Sequence, residues 1–288
     1  MSDAHTKIGG NQMEHYILSD GFKIPKIGFG TAGFKGSDGS RRIEMALNNG
    51  FRLIDSAYNY ENEGVVGYAI RNSGIPRDQI TVTSKLPGRH HAYKDAMNAI
   101  EESVMRTGLD YIDLYLIHWP NPKADKYVEG WKALIAAQKA GLIRSIGVSN
   151  FLPEHIERLE KETGVLPVIN QIEMHPYFNQ AKQREFDTSK EIITEAWGPV
   201  GQRNETLEEE VIKEIADNYG KTAAQVVLRW EIQLGVLPIP KSSHAGRQLE
   251  NIDIFDFQLS EEEMKKINAL SREDGRNNDL DPAVYEER

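Results

Sequence analysis

Leu114-Tyr115-Leu116-Ile117-His118-Trp119-Pro120 is the stretch that decides the architecture. Leu114–Ile117 is too short for a helix and lacks the alternation of a half-exposed strand. An unbroken apolar run of this kind suits a parallel strand covered on both faces. The same pattern recurs at Lys26–Gly30, Phe51–Asp55, Ile80–Ser84, Ser145–Ser149, Val168–Gln171, Ile192–Ala196 and Gly235–Ile239. Helical periodicities lie between these runs: Arg41–Asn48, Val65–Asn72, Ala92–Thr107, Tyr127–Ala140, Pro153–Thr163, Gln180–Thr188, Leu207–Tyr219 and Ala223–Leu234. Gly50, Gly74, Gly108, Gly141, Gly164 and Gly220 follow helical runs, where a left-handed C-cap is wanted. Ser149 or Asn150 ahead of Pro153 gives another helix a capped start. Eight such strand–helix units predict an α/β fold, a (β/α)8 TIM barrel rather than an open doubly wound sheet. Tyr16–Leu18 and Phe22–Ile24, joined at Asp20-Gly21, read as a short N-terminal β-hairpin. Glu261–Leu270, capped by Ser260, adds a late helix, and residues 281–288 are a short polar tail.

The 288 residues suit one barrel of this kind, and no linker divides them. Gly36–Gly39 and Gly198–Asn204 read as loops, so residues 14–288 form a single domain. Residues 1–13 contain Gly9, Gly10, Asn11 and Gln12 and no apolar core, which excludes a signal peptide and suggests a disordered leader, a tag remnant or an upstream start site. Hydrophobic residues make up 39% and charged residues 27%, an ordinary globular composition. With 34 basic and 44 acidic side chains the net charge is −10, which argues against nucleic acid or a membrane surface as partner. The absence of cysteine removes disulfides, thiolate metal sites and cysteine nucleophiles, and fits a reducing cytoplasm. A barrel that buries its own core is expected to be monomeric.

In such barrels the chemistry sits beyond the C-terminal ends of the strands. Those positions carry Asp55, Lys85, His118, Ser149 with Asn150, Gln171, Trp197, and Pro240 with Lys241. Any one polar residue can simply mark a strand exit; a whole ring of them points to function. Asp55 and Tyr60 lie five residues apart after the second strand, within reach of Lys85 and His118 on the next two. A free phenol is a weak acid, with a pKa of about 10, and a nearby ammonium favours its phenolate. Asp55 would hold buried Lys85 as that cation, and His118 could donate to a carbonyl oxygen. These groups make a proton donor aimed at a developing alkoxide. No side chain supplies a hydride, so a nicotinamide cofactor is implied.

Asp55-Ser56-Ala57 with Tyr60, Asn62 and Glu63, Thr83-Ser84-Lys85-Leu86 and Leu114–Pro120 together resemble the aldo-keto reductases. So do Ile146–Phe151, Asn170–Glu173 and Ile239–Ser242, and the resemblance runs from about Met13 to Leu280. The short loops and Lys85–His91 look like the prokaryotic 2,5-diketo-D-gluconate reductase branch. The resemblance implies NADPH-dependent reduction of small aldehydes, dicarbonyls or keto-sugars. Tyr60 would be the general acid, Lys85 its tuning partner, Asp55 the partner of Lys85, and His118 the group that orients the carbonyl. Ser149, Asn150 and Gln171 match positions that bond the nicotinamide carboxamide, and Trp197 matches the aromatic that stacks on its ring. Gly30 and Thr31 also fall at the cofactor. A phosphate monoester wants cationic donors and hydroxyls. Lys241, Ser242 and Arg247 match the 2′-phosphate site and Glu250 and Asn251 the adenine contacts, which favours NADPH over NADH. No metal is implied.

The sequence also departs from the family. Ala32 stands where many relatives carry an aromatic, leaving a wall of the substrate pocket to Phe34 or to nothing. Trp119 is a second wall candidate. Gly198-Pro199 replaces a usual Ser-Pro pair, and Glu185–Lys190 replaces an apolar helix. The tail after Asp281 looks too short to close over a substrate. Gly28, Gly30 and Gly33 imitate a G-x-G-x-x-G dinucleotide fingerprint, but residues 34–39 read as loop where that fingerprint needs a helix. His90-His91 lacks a third metal ligand and reads as a solvated loop. His155 and His175 read as structural or exposed, and Trp131 as core. Two other barrel functions stay open: a nicotinamide-binding scaffold with negligible turnover, and an isomerase or lyase without a redox cofactor.

Overall fold

A computed structural model, describing residues 13–202, 205–277 and 280–288, gathers the apolar runs into one eight-stranded sheet preceded by a hairpin. The hairpin pairs β1 (His15–Ile17) with β2 (Lys23–Pro25) in antiparallel register. Its turn is set by Asp20, whose Oδ1 accepts from Phe22 N–H, and by Gly21 at φ 86°. The sheet runs through β3 (Phe29–Gly30), β4 (Leu53–Asp55), β5 (Thr81–Leu86), β6 (Ile112–Ile117), β7 (Ile143–Ser149), β8 (Ile169–Glu173), β9 (Ile193–Trp197) and β10 (Leu237–Ile239). Each strand pairs in parallel with its neighbours in sequence. The two ends meet where Gly28 N–H donates to Pro238 O and Gly30 N–H to Pro240 O, both at 3.0 Å, so the sheet closes into a barrel. A Cβ at Gly28 would lie 2.4 Å from Ile239 Cδ1, so this close approach requires glycine.

The helices are α1 (Gly36–Asn48), α2 (Glu63–Asn72), α3 (Tyr93–Thr107), α4 (Tyr127–Lys139), α5 (Pro153–Thr163), α6 (Ala181–Ser189), α7 (Glu210–Tyr219), α8 (Ala223–Gln233), α9 (Ala245–Ile252) and α10 (Glu261–Asn268). Most agree with the periodicity to within a few residues. Residues 36–39 do not: read as a loop, they are the first turn of α1. The dinucleotide fingerprint still fails, because the strand order is that of a closed barrel. The basic segment after β10 was not recognised as a helix, since α9 has only eight residues and carries Gly246. Neither Ser149 nor Asn150 caps α5; Leu152 holds that position, and its N–H donates to His155 Nδ1 at 3.1 Å.

Leu18 and Ile24 of the hairpin pack with Leu53, Leu114, Leu116 and Ile169 inside the barrel, so apolar side chains plug the hairpin end. Trp131 is buried in the layer between barrel and helices, as expected. The leader reading, residues 1–13, lies outside the described residues except for Met13, which packs partly buried against the core. Among the described residues no helix is long and apolar enough to cross a membrane.

Candidate active site

Sheet register assembles the site. Asp55 pairs with Thr83, so Lys85, two residues further on, falls on the same face of β5 just above. Its Nζ donates to Asp55 Oδ1 at 2.7 Å, Asp55 Oδ2 at 2.9 Å and Ser56 O at 2.8 Å. Burial works against the ammonium, but Asp55, then Tyr60, outweighs it and holds Lys85 above its ordinary range. Gln171 faces Glu195 across β8 and β9. Its Nε2 donates to Asp55 Oδ2 at 2.8 Å and to Glu195 Oε2 at 3.2 Å. Burial, and next the Asp55 charge, push the Glu195 carboxyl up to about 8, so it keeps its proton at neutral pH.

Tyr60 closes a tight turn, Tyr58–Tyr60, after which Glu61 takes a left-handed φ of 50°. Lys35 Nζ donates to the Tyr60 carbonyl at 2.6 Å. The Tyr60 ring centroid lies 5.0 Å from Lys85 Nζ. Burial raises the phenol above its ordinary range and Lys85 opposes that rise. The expected acidification is therefore only partial: at this depth burial outweighs the ammonium. His118 meets Tyr60 edge to face, with centroids 5.9 Å apart. Its backbone is fixed, because its N–H donates to Leu86 O at 2.9 Å and its carbonyl accepts from Asn150 Nδ2 at 3.0 Å.

The opposite wall comes from β7, β8 and β9. Ser149 Oγ donates to Gln171 O at 2.7 Å, and Trp197 Nε1 donates to Asn150 Oδ1 at 2.9 Å, which fixes the indole plane. Both walls enclose one cavity of about 210 Å³. Gly30, Thr31, Ala32, Trp119, Gly198 and Lys241 complete its lining, together with Gln202 and Ile239, which sequence reasoning did not single out. Lys241 Nζ donates to Ala32 O at 2.9 Å. Ser242 is buried beside it, while Arg247, Glu250 and Asn251 lie on α9, outside the cavity lining.

Three expectations, at Phe34, His91 and the tail, need correction, and the segment 185–190 gains an explanation. Phe34 is no part of the substrate wall: its ring is buried 6.0 Å from that of Phe29, in the core above α1, because residues 34–36 turn inward to start the helix. His91 is not solvated but 1% exposed, and burial lowers it to about 4. The polar replacement at residues 185–190 buries Asp187, which accepts from Gln183 and Thr194; burial raises it to about 6. The tail does reach the site: the Tyr285 ring meets Trp119 at 4.5 Å, and Glu287 Oε1 lies 2.7 Å from His118 Nδ1. Nothing in a short polar tail signalled that contact. Glu195 had a signal, a charge in the middle of an apolar strand, that went unread.

A (β/α)8 barrel with an Asp–Lys pair, a phenol and an imidazole at one cavity mouth defines a class of carbonyl-reducing enzymes, and the comparisons agree. The Aldo/keto reductase family model matches residues 26–272. The chain is 47% identical over 270 residues to 2,5-diketo-D-gluconic acid reductase B of Corynebacterium sp., covering 94% of this chain and 97% of that one. It is 43% identical over 256 residues to methylglyoxal reductase DkgA of Escherichia coli, covering 88% and 92%. A solved Gox0644 mutant in complex with NADPH superposes with a TM-score of 0.91 at 39% identity, covering 96% of this chain and all of that one (100%). The chain belongs to the aldo/keto reductase family and is an enzyme of that class.

Proposed function

We propose that this protein uses NADPH to reduce the aldehyde or ketone groups of small polar carbonyl compounds, such as dicarbonyls or keto-sugars, to alcohols. One observation carries the reading: Tyr60, the Lys85–Asp55 pair and His118 converge on a cavity whose far wall is the fixed indole of Trp197. When bound, the reduced nicotinamide supplies the hydride that no side chain can. The residues fit such a group. A flat indole, the Ser149 hydroxyl and the Asn150 and Gln171 amides suit a planar carboxamide-bearing ring, and Gly30 and Thr31 line the same cavity. Lys241, Ser242 and Arg247 supply the cations and hydroxyl that suit a 2′-phosphate, with Glu250 and Asn251 on the same helix for the adenine. The diketogluconate and methylglyoxal reductases among the relatives support the substrate class.

Tyr60 would give its proton to the carbonyl oxygen. Burial lets the phenol keep that proton until it is needed, and Lys85 stabilises the phenolate left behind. Asp55 keeps Lys85 charged for this task. His118 would orient the carbonyl and, with Trp119, shape the substrate side. We extend the same reading to a monomeric, cytoplasmic protein. Tyr60→Phe should lower carbonyl-dependent NADPH consumption about a thousandfold, with cofactor affinity unchanged by fluorescence titration. Full turnover in that variant would remove Tyr60 from the role, and binding without turnover across a broad carbonyl panel would favour a scaffold.

A further inference from the structure

The last residues dock as a strap across the cavity rim. Asn121 Nδ2 donates to Glu287 O at 2.8 Å, Glu287 N–H donates to Asn121 Oδ1 at 3.1 Å, and Tyr285 covers Trp119. The strap places one carboxylate in the wall. Glu287 Oε2 accepts from Gly88 N–H at 3.0 Å, and Oε1 accepts from Asn59 Nδ2 at 2.8 Å while lying 2.7 Å from His118 Nδ1. Nδ1 is buried and makes no well-directed hydrogen bond, so the 2.7 Å approach of Oε1 is its polar contact. Among the described residues no protein atom hydrogen-bonds Nε2, and the ring lines the cavity.

We propose that Glu287 is a positioning residue for His118: its carboxylate keeps a proton on Nδ1, fixes the ring plane and leaves Nε2 to meet the carbonyl oxygen. The proposal rests on the reductase reading for the task it gives Nε2. An imidazole can put a hydrogen toward only one of its two nitrogens when neutral, so the group opposite Nδ1 decides what Nε2 presents. A carboxylate only accepts, so a bond to it requires Nδ1–H, and with Nδ1 protonated Nε2 donates only when the ring carries both protons. Burial alone would neutralise Glu287, but His118, the Gly88 N–H and Asn59 hold it below the ordinary carboxylate range. Tyr60, His91 and Tyr285 are the other titratable groups that feel this carboxylate.

The test uses histidine-labelled, cofactor-free protein, with 15N resonances of His118 assigned by their loss in His118→Gln. Glu287→Gln keeps the shape: with its amide oxygen on Gly88 N–H, the amide nitrogen stands opposite Nδ1, can donate to it and gives up the bond from Asn59. It should shift the His118 resonances toward the Nε2–H tautomer and lower kcat roughly ten- to a hundredfold, with KM changed less than threefold. Glu287→Asp should fall between the two. Glu286→Ala is the control, because Glu286 fastens the same strap through Lys123 N–H at 2.6 Å without touching His118. It should leave the His118 resonances in place. Unmoved resonances in Glu287→Gln, or the same movement in Glu286→Ala, would overturn the proposal. The reductase reading fails separately, if the parent protein consumes no NADPH with any carbonyl.

Discussion

Lys85 beneath the cavity and His118 in its wall each have a carboxylate beside them. Lys85 and Asp55 come from adjacent strands, and parallel pairing alone brings them to 2.7 Å. His118 and Glu287 are also 2.7 Å apart, but one follows β6 and the other belongs to a strap held by a few polar bonds and one ring contact. The inner pair is as rigid as the barrel and cannot be lost while the barrel stands. The outer pair is as secure as the docking of a short segment, so its geometry can be adjusted without disturbing the core. On the proposed reading, the proton source would thus rest on the barrel strands, and the group that would meet the substrate on the adjustable part.

The sharpest way to break this contrast is at the inner pair. Lys85→Met should lower kcat/KM about a thousandfold or more. It should also cost about 3–5 kcal/mol of stability in urea unfolding, because Asp55 is left buried without its cation. A variant that loses activity and keeps full stability would show that the pair is not a framework element.

Glu195 tests how far the inner framework tolerates charge. In the unfolded chain its carboxyl ionises near 4.5, while in the fold burial and the Asp55 charge push it up to about 8. The folded protein thus holds a proton that the unfolded chain has released, and stability falls as pH rises between those values. Glu195→Gln should flatten the profile of unfolding free energy between pH 5 and 8 by up to about 1.4 kcal/mol per pH unit relative to the parent. An unchanged slope would mean that the carboxyl is ionised in the fold and paired more strongly than its bond to Gln171 suggests.

The smallest effect belongs to the strap. Tyr285→Ala removes the ring over Trp119 and should raise KM for a carbonyl substrate a few-fold, with the melting temperature shifted by only a few degrees. A collapse in stability would place the tail in the core and erase the distinction between the two pairs.

The barrel, its hairpin and the ring of polar strand ends were legible in the sequence, because each is a local pattern: a short apolar run, a glycine that ends a helix, a polar residue at a strand exit. Asp55, Tyr60, Lys85 and His118 could be read for the same reason, since topology fixes which strand ends adjoin. Phe34 and His91 were misread because burial depends on what packs above a residue. Sequence alone thus determined which side chains ring the mouth of the barrel. Only the tertiary structure decided the charge states beneath it, where burial competes with Lys85 at Tyr60 and with a neighbouring carboxylate at Glu195. It alone also brought Glu287 to His118 across 169 positions, a contact made by chain return that no local pattern encodes.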